Sequence, residues 1–82
     1  MIYEVVYDKV CEKQLTKLPK EIRQRIFQKM REVSLTGRGI ESIKEAEFGY
    51  KVRIGNYRAL IDLESQKITV RYIDHRKRIY KR

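Results

Sequence analysis

Tyr50-Lys51-Val52-Arg53-Ile54-Gly55-Asn56-Tyr57-Arg58-Ala59-Leu60-Ile61-Asp62-Leu63 is the stretch that decides the fold. Tyr50, Val52 and Ile54 alternate with Lys51 and Arg53, and this period of two is that of a strand with one buried face. Gly55-Asn56 suits a two-residue hairpin turn. Beyond it Tyr57, Ala59, Ile61 and Leu63 alternate with Arg58, Leu60 and Asp62. Glu64 to Lys67 turn the chain again, and Ile68, Val70 and Tyr72 then alternate with Thr69, Arg71 and Ile73. The segment reads as a three-stranded antiparallel meander.

The turn residues fix the register. Ile54 faces Tyr57, so Arg53 faces Arg58, Val52 faces Ala59 and Lys51 faces Leu60. In the second hairpin Leu63 faces Ile68, which sets Ile61 opposite Val70 and Leu60 opposite Arg71. One face then carries the apolar set from Tyr50 to Tyr72. The other carries Lys51, Arg53, Arg58 and Arg71, with Leu60 and Ile73 between them.

Toward the N-terminus, Ile2 to Tyr7 is an apolar run rich in β-branched and aromatic residues, a further strand. Asp8 suits the cap of a helix whose apolar stripe is Val10, Cys11, Leu15 and Leu18. Pro19 fits the first turn of a second helix, where its missing N–H does no harm. Ile22, Ile26, Met30 and Val33, with Phe27 beside them, give that helix its buried stripe. Thr36-Gly37-Arg38-Gly39 ends it. Ile40 to Phe48 reads as loop or the start of a strand. The expected architecture is α+β: an N-terminal strand, a helical hairpin, then the meander, with the helices on one face of the sheet and residues 1–82 forming a single domain.

Charge is the most informative total. The chain has 82 residues, with 20 Lys+Arg against 11 Asp+Glu and a net charge of +9. Residues 1–50 hold ten basic and eight acidic side chains, whereas residues 51–82 hold ten and three. A positive field gathered in one part of a small domain attracts polyanions, and RNA is the expected one. A chain this short has little room for a buried cofactor cleft, so the site is expected on the surface. Cys11 is the only cysteine, which excludes an internal disulfide and suits a reducing cytoplasm. His75 is the only histidine, and no metal-ligand spacing accompanies it. No apolar run is long enough to span a membrane, and the opening Met1 to Asp8 is too short and acidic for a signal peptide. Neither a metal nor a small-molecule cofactor is expected.

Arg53 and Arg58, directly opposed, repel each other at a cost of about 0.2–1 kcal/mol. Their pairing, with Lys51 and Arg71 nearby, suggests that an anion is meant to lie between them. The tail Asp74-His75-Arg76-Lys77-Arg78-Ile79-Tyr80-Lys81-Arg82 adds cations next to that face, and Tyr80 is the aromatic best placed to join a site.

The chain resembles the RelE/ParE superfamily of toxins from toxin–antitoxin pairs, and its RelE branch in particular. The resemblance covers nearly the whole chain. It rests on Tyr3 in the opening strand, Leu18-Pro19-Lys20-Glu21-Ile22-Arg23, Tyr50 to Arg58 with its Gly-x-Tyr-Arg hairpin, and His75-Arg76-Lys77-Arg78-Ile79-Tyr80. It implies an mRNA interferase that cuts message in the ribosomal A site, with the RNA's own 2′-OH as nucleophile and without a metal. On this likeness Arg58 and Arg76 contact the scissile phosphate, one of them protonating the leaving oxygen. Lys51 and Arg53 steady the substrate, and Tyr80 orients or activates the 2′-OH. Arg71, His75, Lys77 and Arg78 complete the expected RNA-binding set, His75 being the alternative to Tyr80 as base. Asp74 stands where a glycine is common in the family, and the interval from Arg76 to Tyr80 is shorter than in some members. The implied partners are a cognate antitoxin, the ribosome and mRNA, with no membrane. Two other readings share these residues: a ParE-like toxin that inhibits DNA gyrase by binding it, and a nucleic-acid-binding module without chemistry.

Overall fold

The structure, a computed structural model, describes residues 3–43 and 49–79. The elements are β1 (Glu4–Tyr7), α1 (Lys9–Thr16), α2 (Lys20–Thr36), β2 (Ile40–Ser42), β3 (Tyr50–Ile54), β4 (Tyr57–Glu64), β5 (Lys67–His75) and α3 (Arg76–Ile79). They form one five-stranded sheet of order β1-β5-β4-β3-β2. β1 runs parallel to β5 and every other pair is antiparallel. The stretch left open between loop and strand resolves in part: β2 pairs with β3 through Ile40↔Val52 and Ser42↔Tyr50, and residues 44–48 lie outside the described residues.

Local chemistry explains the helices. Asp8 caps α1, its carboxylate accepting the Val10 N–H at 3.3 Å. Pro19 stands one residue ahead of α2 as its N-cap, not within the first turn. Gly37 closes α2 in the left-handed conformation (φ 72°), which a residue without Cβ adopts freely. Cys11, Leu15, Ile26, Met30 and Val33 of the two helices join Val52, Ile54, Ala59, Ile61, Ile68, Val70 and Ile73 of the sheet in one buried cluster. α1 and α2 therefore cover one face of the sheet, as expected.

The first hairpin has the expected register, with Arg53 opposite Arg58. Gly55 takes φ 59°, the requirement at the first position of a type II′ turn. The second hairpin departs from expectation beyond Ile61↔Val70. A bulge at Leu60/Ile61 inserts Arg71, so Leu60 faces Tyr72 and Ala59 faces Ile73. Parity then reverses. Ile73, expected on the outer face, is buried in the core, and Tyr72, expected in the core, lies on the outer face. The physical reason is visible in Val70-Arg71-Tyr72-Ile73: two aliphatic residues three apart cannot both reach the core in a regular strand, and one extra residue lets them. The Ile73 N–H, past the end of β1, is taken by Gln14 Oε1 of α1 at 2.7 Å.

The sequence reading did not foresee α3. Leu60, on the outer face by register, is only 4% exposed and Ile79 only 2%, and both stand outside the main cluster. Buried Leu60 needs a cover on that face, and α3, which contacts β4 and β5, supplies it.

Candidate nucleic-acid interface

Two cross-strand rows build the outer face next to the β3–β4 turn. The first runs Glu41, Lys51, Leu60, Tyr72 across β2, β3, β4 and β5, and the second runs Arg53, Arg58, Asp74. The cationic residues expected here are therefore brought together, but most are already engaged. Arg53 Nε lies 3.0 Å from Glu41 Oε2. Arg71 reaches Asp8 at 3.0 Å and Asp62 at 3.1 Å, so the bulged arginine joins the start of α1 to β4. Arg78 pairs with Asp74 at 2.9 Å, four residues away in sequence. Lys51 is half-buried.

Arg58 is the largest difference from expectation. Rather than facing solvent, it is 8% exposed. Its Nη1 donates at 2.8 Å to the carbonyls of Gly55 and Tyr57. The opposed arginines thus take different partners: Arg53 turns to Glu41 and Arg58 turns to the backbone of its own hairpin. A buried guanidinium needs such acceptors, because an unpaired charge away from water is costly.

Arg76 begins α3, and its N–H donates to the Asn56 carbonyl at 2.7 Å. The Gly55 carbonyl therefore holds the Arg58 guanidinium and the Asn56 carbonyl holds the Arg76 backbone N–H, so one two-residue turn anchors both residues expected to grip the phosphate. The Arg76 and Lys77 side chains are exposed, and neither pairs with an acidic group among the described residues. They are the ready cations of this face. His75 Nδ1 accepts the Lys77 N–H at 3.1 Å, and its ring meets Tyr57 edge-on at 5.5 Å. Only Nε2 is left for a substrate. Tyr80 lies outside the described residues.

Asp74 anchors this corner. Partial desolvation works to raise its pKa, but hydrogen bonds from Arg78 and from the His75 N–H outweigh it, with help from the Arg78 charge. The carboxyl is held below its ordinary value. On the opposite side of the molecule, burial pushes the Cys11 thiol up to about 12, with the Asp8 and Glu12 charges adding to it. Burial also raises the Tyr7 phenol to about 12. Neither is prepared for chemistry at neutral pH. Among the described residues no group of three or more His, Cys, Asp or Glu is placed to hold a metal ion, and no helix is long and apolar enough to cross a membrane.

Sequence reasoning missed Glu41 and Asp74 as partners. Asp74 and Arg78 stand four apart, a spacing that signals an ion pair once α3 is recognised. Glu41 carried no such signal, because its strand was left unassigned.

No protein-family profile matches the chain, and no curated protein does. Solved structures do. The chain is 31% identical to one in the RelB–RelE antitoxin–toxin complex from Methanococcus jannaschii, at a TM-score of 0.72, covering 92% of this chain and 94% of that one. It matches the toxin–antitoxin complex RelBE2 from Mycobacterium tuberculosis at a TM-score of 0.80 and 21% identity, over 92% of this chain and 99% of that one. It matches the intact E. coli RelBE complex at 0.73 and 19%, over 89% and 95%. The last two show the fold alone. The first adds sequence likeness over nearly the full length to the same strand–helix–helix–meander order, and with it the chain belongs to the RelE family of toxins.

Proposed function

We propose that this protein is a ribosome-dependent mRNA endoribonuclease, the toxin of a pair whose antitoxin binds it directly. One observation carries the reading: the Gly55-Asn56 turn holds Arg58 and Arg76 from neighbouring carbonyls. A guanidinium offers a phosphate a forked, permanently charged grip, and one from β4 with one from α3 can bracket one phosphate. The RNA's 2′-oxygen forms a bond to phosphorus as the bond to the 5′-oxygen breaks. The 2′ proton passes to a base and the leaving 5′-oxygen takes one up. The products are a 2′,3′-cyclic phosphate and a 5′-hydroxyl.

In this reading Arg76 is ready and Arg58 is stowed. A phosphate exchanges with the Gly55 and Tyr57 carbonyls for the Arg58 guanidinium, and the charge that develops at phosphorus in the transition state favours that exchange. Lys51 and Arg53 steady the RNA, and Lys77 and Arg78 add to the field. Arg71, tied to two carboxylates, has a structural part instead. Tyr80 follows Ile79 directly and is the proposed base. A free phenol has a pKa of about 10, so it is a weak base at neutral pH. This inventory stabilises charge well and supplies proton transfer poorly, so the ribosome contributes the in-line positioning of the message.

The antitoxin partner is proposed from the neighbours, each of which is a toxin–antitoxin complex. The test is purified protein added to ribosomes programmed with message, with a gyrase supercoiling assay alongside. Cleavage in the A site without effect on gyrase supports the proposal. Inhibited supercoiling with intact message identifies a ParE-like binder, and neither effect leaves a module without chemistry.

A further inference from the structure

A second basic surface lies across the β3–β4 turn from the candidate site. Arg25 and Lys29, one turn apart on α2, line an open groove of about 300 Å³ with Arg53, Gly55 and Glu32. Arg25 Nη1 stands 3.8 Å from where a Cβ on Gly55 would sit, so its guanidinium lies against the turn. Lys29 Nζ stands 3.8 Å from the corresponding point at Gly39, on the approach to β2. Neither Arg25 nor Lys29 has an ion pair among the described residues. Arg53 on the facing wall is paired with Glu41 and Glu32 offsets one further charge, so Arg25 and Lys29 leave the groove with a net positive charge that favours an anion.

We propose that this groove is a second RNA-binding site, which takes a backbone phosphate from RNA outside the segment that is cut. The proposal rests on the reading of the chain as an RNA-cutting toxin. Continuity with the candidate site favours RNA over an acidic protein segment. Gly55 lines the groove while its carbonyl holds Arg58, and Asn56 next to it holds Arg76. A regular chain of phosphates can lie on both sides of one tight turn. Cations that meet only phosphates position RNA without reading its bases, so the contact is indifferent to sequence.

The test is Arg25→Gln with Lys29→Gln in the full chain, compared with Lys20→Gln with Arg31→Gln, which removes equal charge elsewhere on α2. Binding to a labelled single-stranded RNA and to ribosomes is followed across a salt series. The first pair alone is expected to weaken binding and to lose about 1.4 of the log–log salt slope, about 0.7 for each lost contact. Arg25→Lys with Lys29→Arg, which keeps the charge, is expected to retain most of the binding. The single-turnover cleavage rate at saturating protein stays at the wild-type value. Equal losses in both Gln pairs would reduce the effect to net charge and overturn the proposal. Unchanged RNA binding with weakened antitoxin binding would overturn it as well, and assign the groove to a protein. A wild-type protein that binds RNA through these residues but cuts no message leaves the groove standing and removes the nuclease reading.

Discussion

Replacing Arg58 by alanine should cost stability as well as activity. The side chain is 8% exposed and makes two charge-assisted bonds of 2.8 Å. A hydrogen bond from a charged group contributes about 1.5–3 kcal/mol. The freed carbonyls flank an exposed turn and regain water, which keeps the loss near the lower end. Relief of the Arg53–Arg58 repulsion returns about 0.2–1 kcal/mol. The net expectation is a loss of about 2–3 kcal/mol, which for a domain of this size lowers Tm by roughly 8–24 °C. Arg76→Ala, at an exposed and unpaired side chain, should cost less than about 0.5 kcal/mol. Urea titration reads both as a shift in midpoint at constant m-value. Should Arg58→Ala and Arg76→Ala prove equally stable, the guanidinium is not stowed against the turn and the exchange described above is wrong. Activity of Arg58→Ala has to be read well below its own melting temperature.

Three further outcomes are expected. Asp74 has a depressed folded pKa, so the stability it contributes is present above its ordinary value of 3.8 and is lost as pH falls below it; Asp74→Asn should flatten that part of the acid-unfolding curve, and an unchanged curve would refute the pairing with Arg78. Cys11 is fully buried, with its thiol raised to about 12, so a thiol reagent at pH 8 should modify it only as fast as the protein opens, and rapid native-state labelling would contradict its packing. Ser65 takes φ 56° in the β4–β5 turn, a conformation that costs a residue with a Cβ roughly 1–2 kcal/mol; Ser65→Gly should raise the urea midpoint, and a lower midpoint would show that the turn is not strained.

The parts of the fold set by periodicity were legible in the sequence. The period-two pattern and Gly55-Asn56 gave the first hairpin residue by residue, and the stripes of α1 and α2 gave the face they cover. The bulge was not legible, because an inserted residue looks like ordinary alternation until Ile73 is seen to need burial more than Tyr72 does. α3 was hidden within a run of cations, where Ile79 is the sole apolar residue before Tyr80. At the candidate site, residue types and their gathering on one face were readable, but their states were not. A sequence shows that Arg53 and Arg58 face each other. It does not show that Glu41 from an edge strand neutralises one, or that carbonyls of the same hairpin absorb the other. Long-range partners such as Asp8 for Arg71, 63 residues apart, leave no local trace.

The central claim is that this face cuts RNA and does not merely hold it. Its most direct measurement is the 3′ end of message recovered from programmed ribosomes after single-turnover reaction with the wild-type protein, Arg76→Ala and Tyr80→Phe. The account predicts a 2′,3′-cyclic phosphate with the wild type and no detectable product with Arg76→Ala. It predicts a rate about 10²–10⁴ lower with Tyr80→Phe, if the hydroxyl transfers the proton, with binding little changed. Wild-type rates in Arg76→Ala would contradict the account, because that side chain is the exposed, unpaired grip on which the proposed chemistry depends.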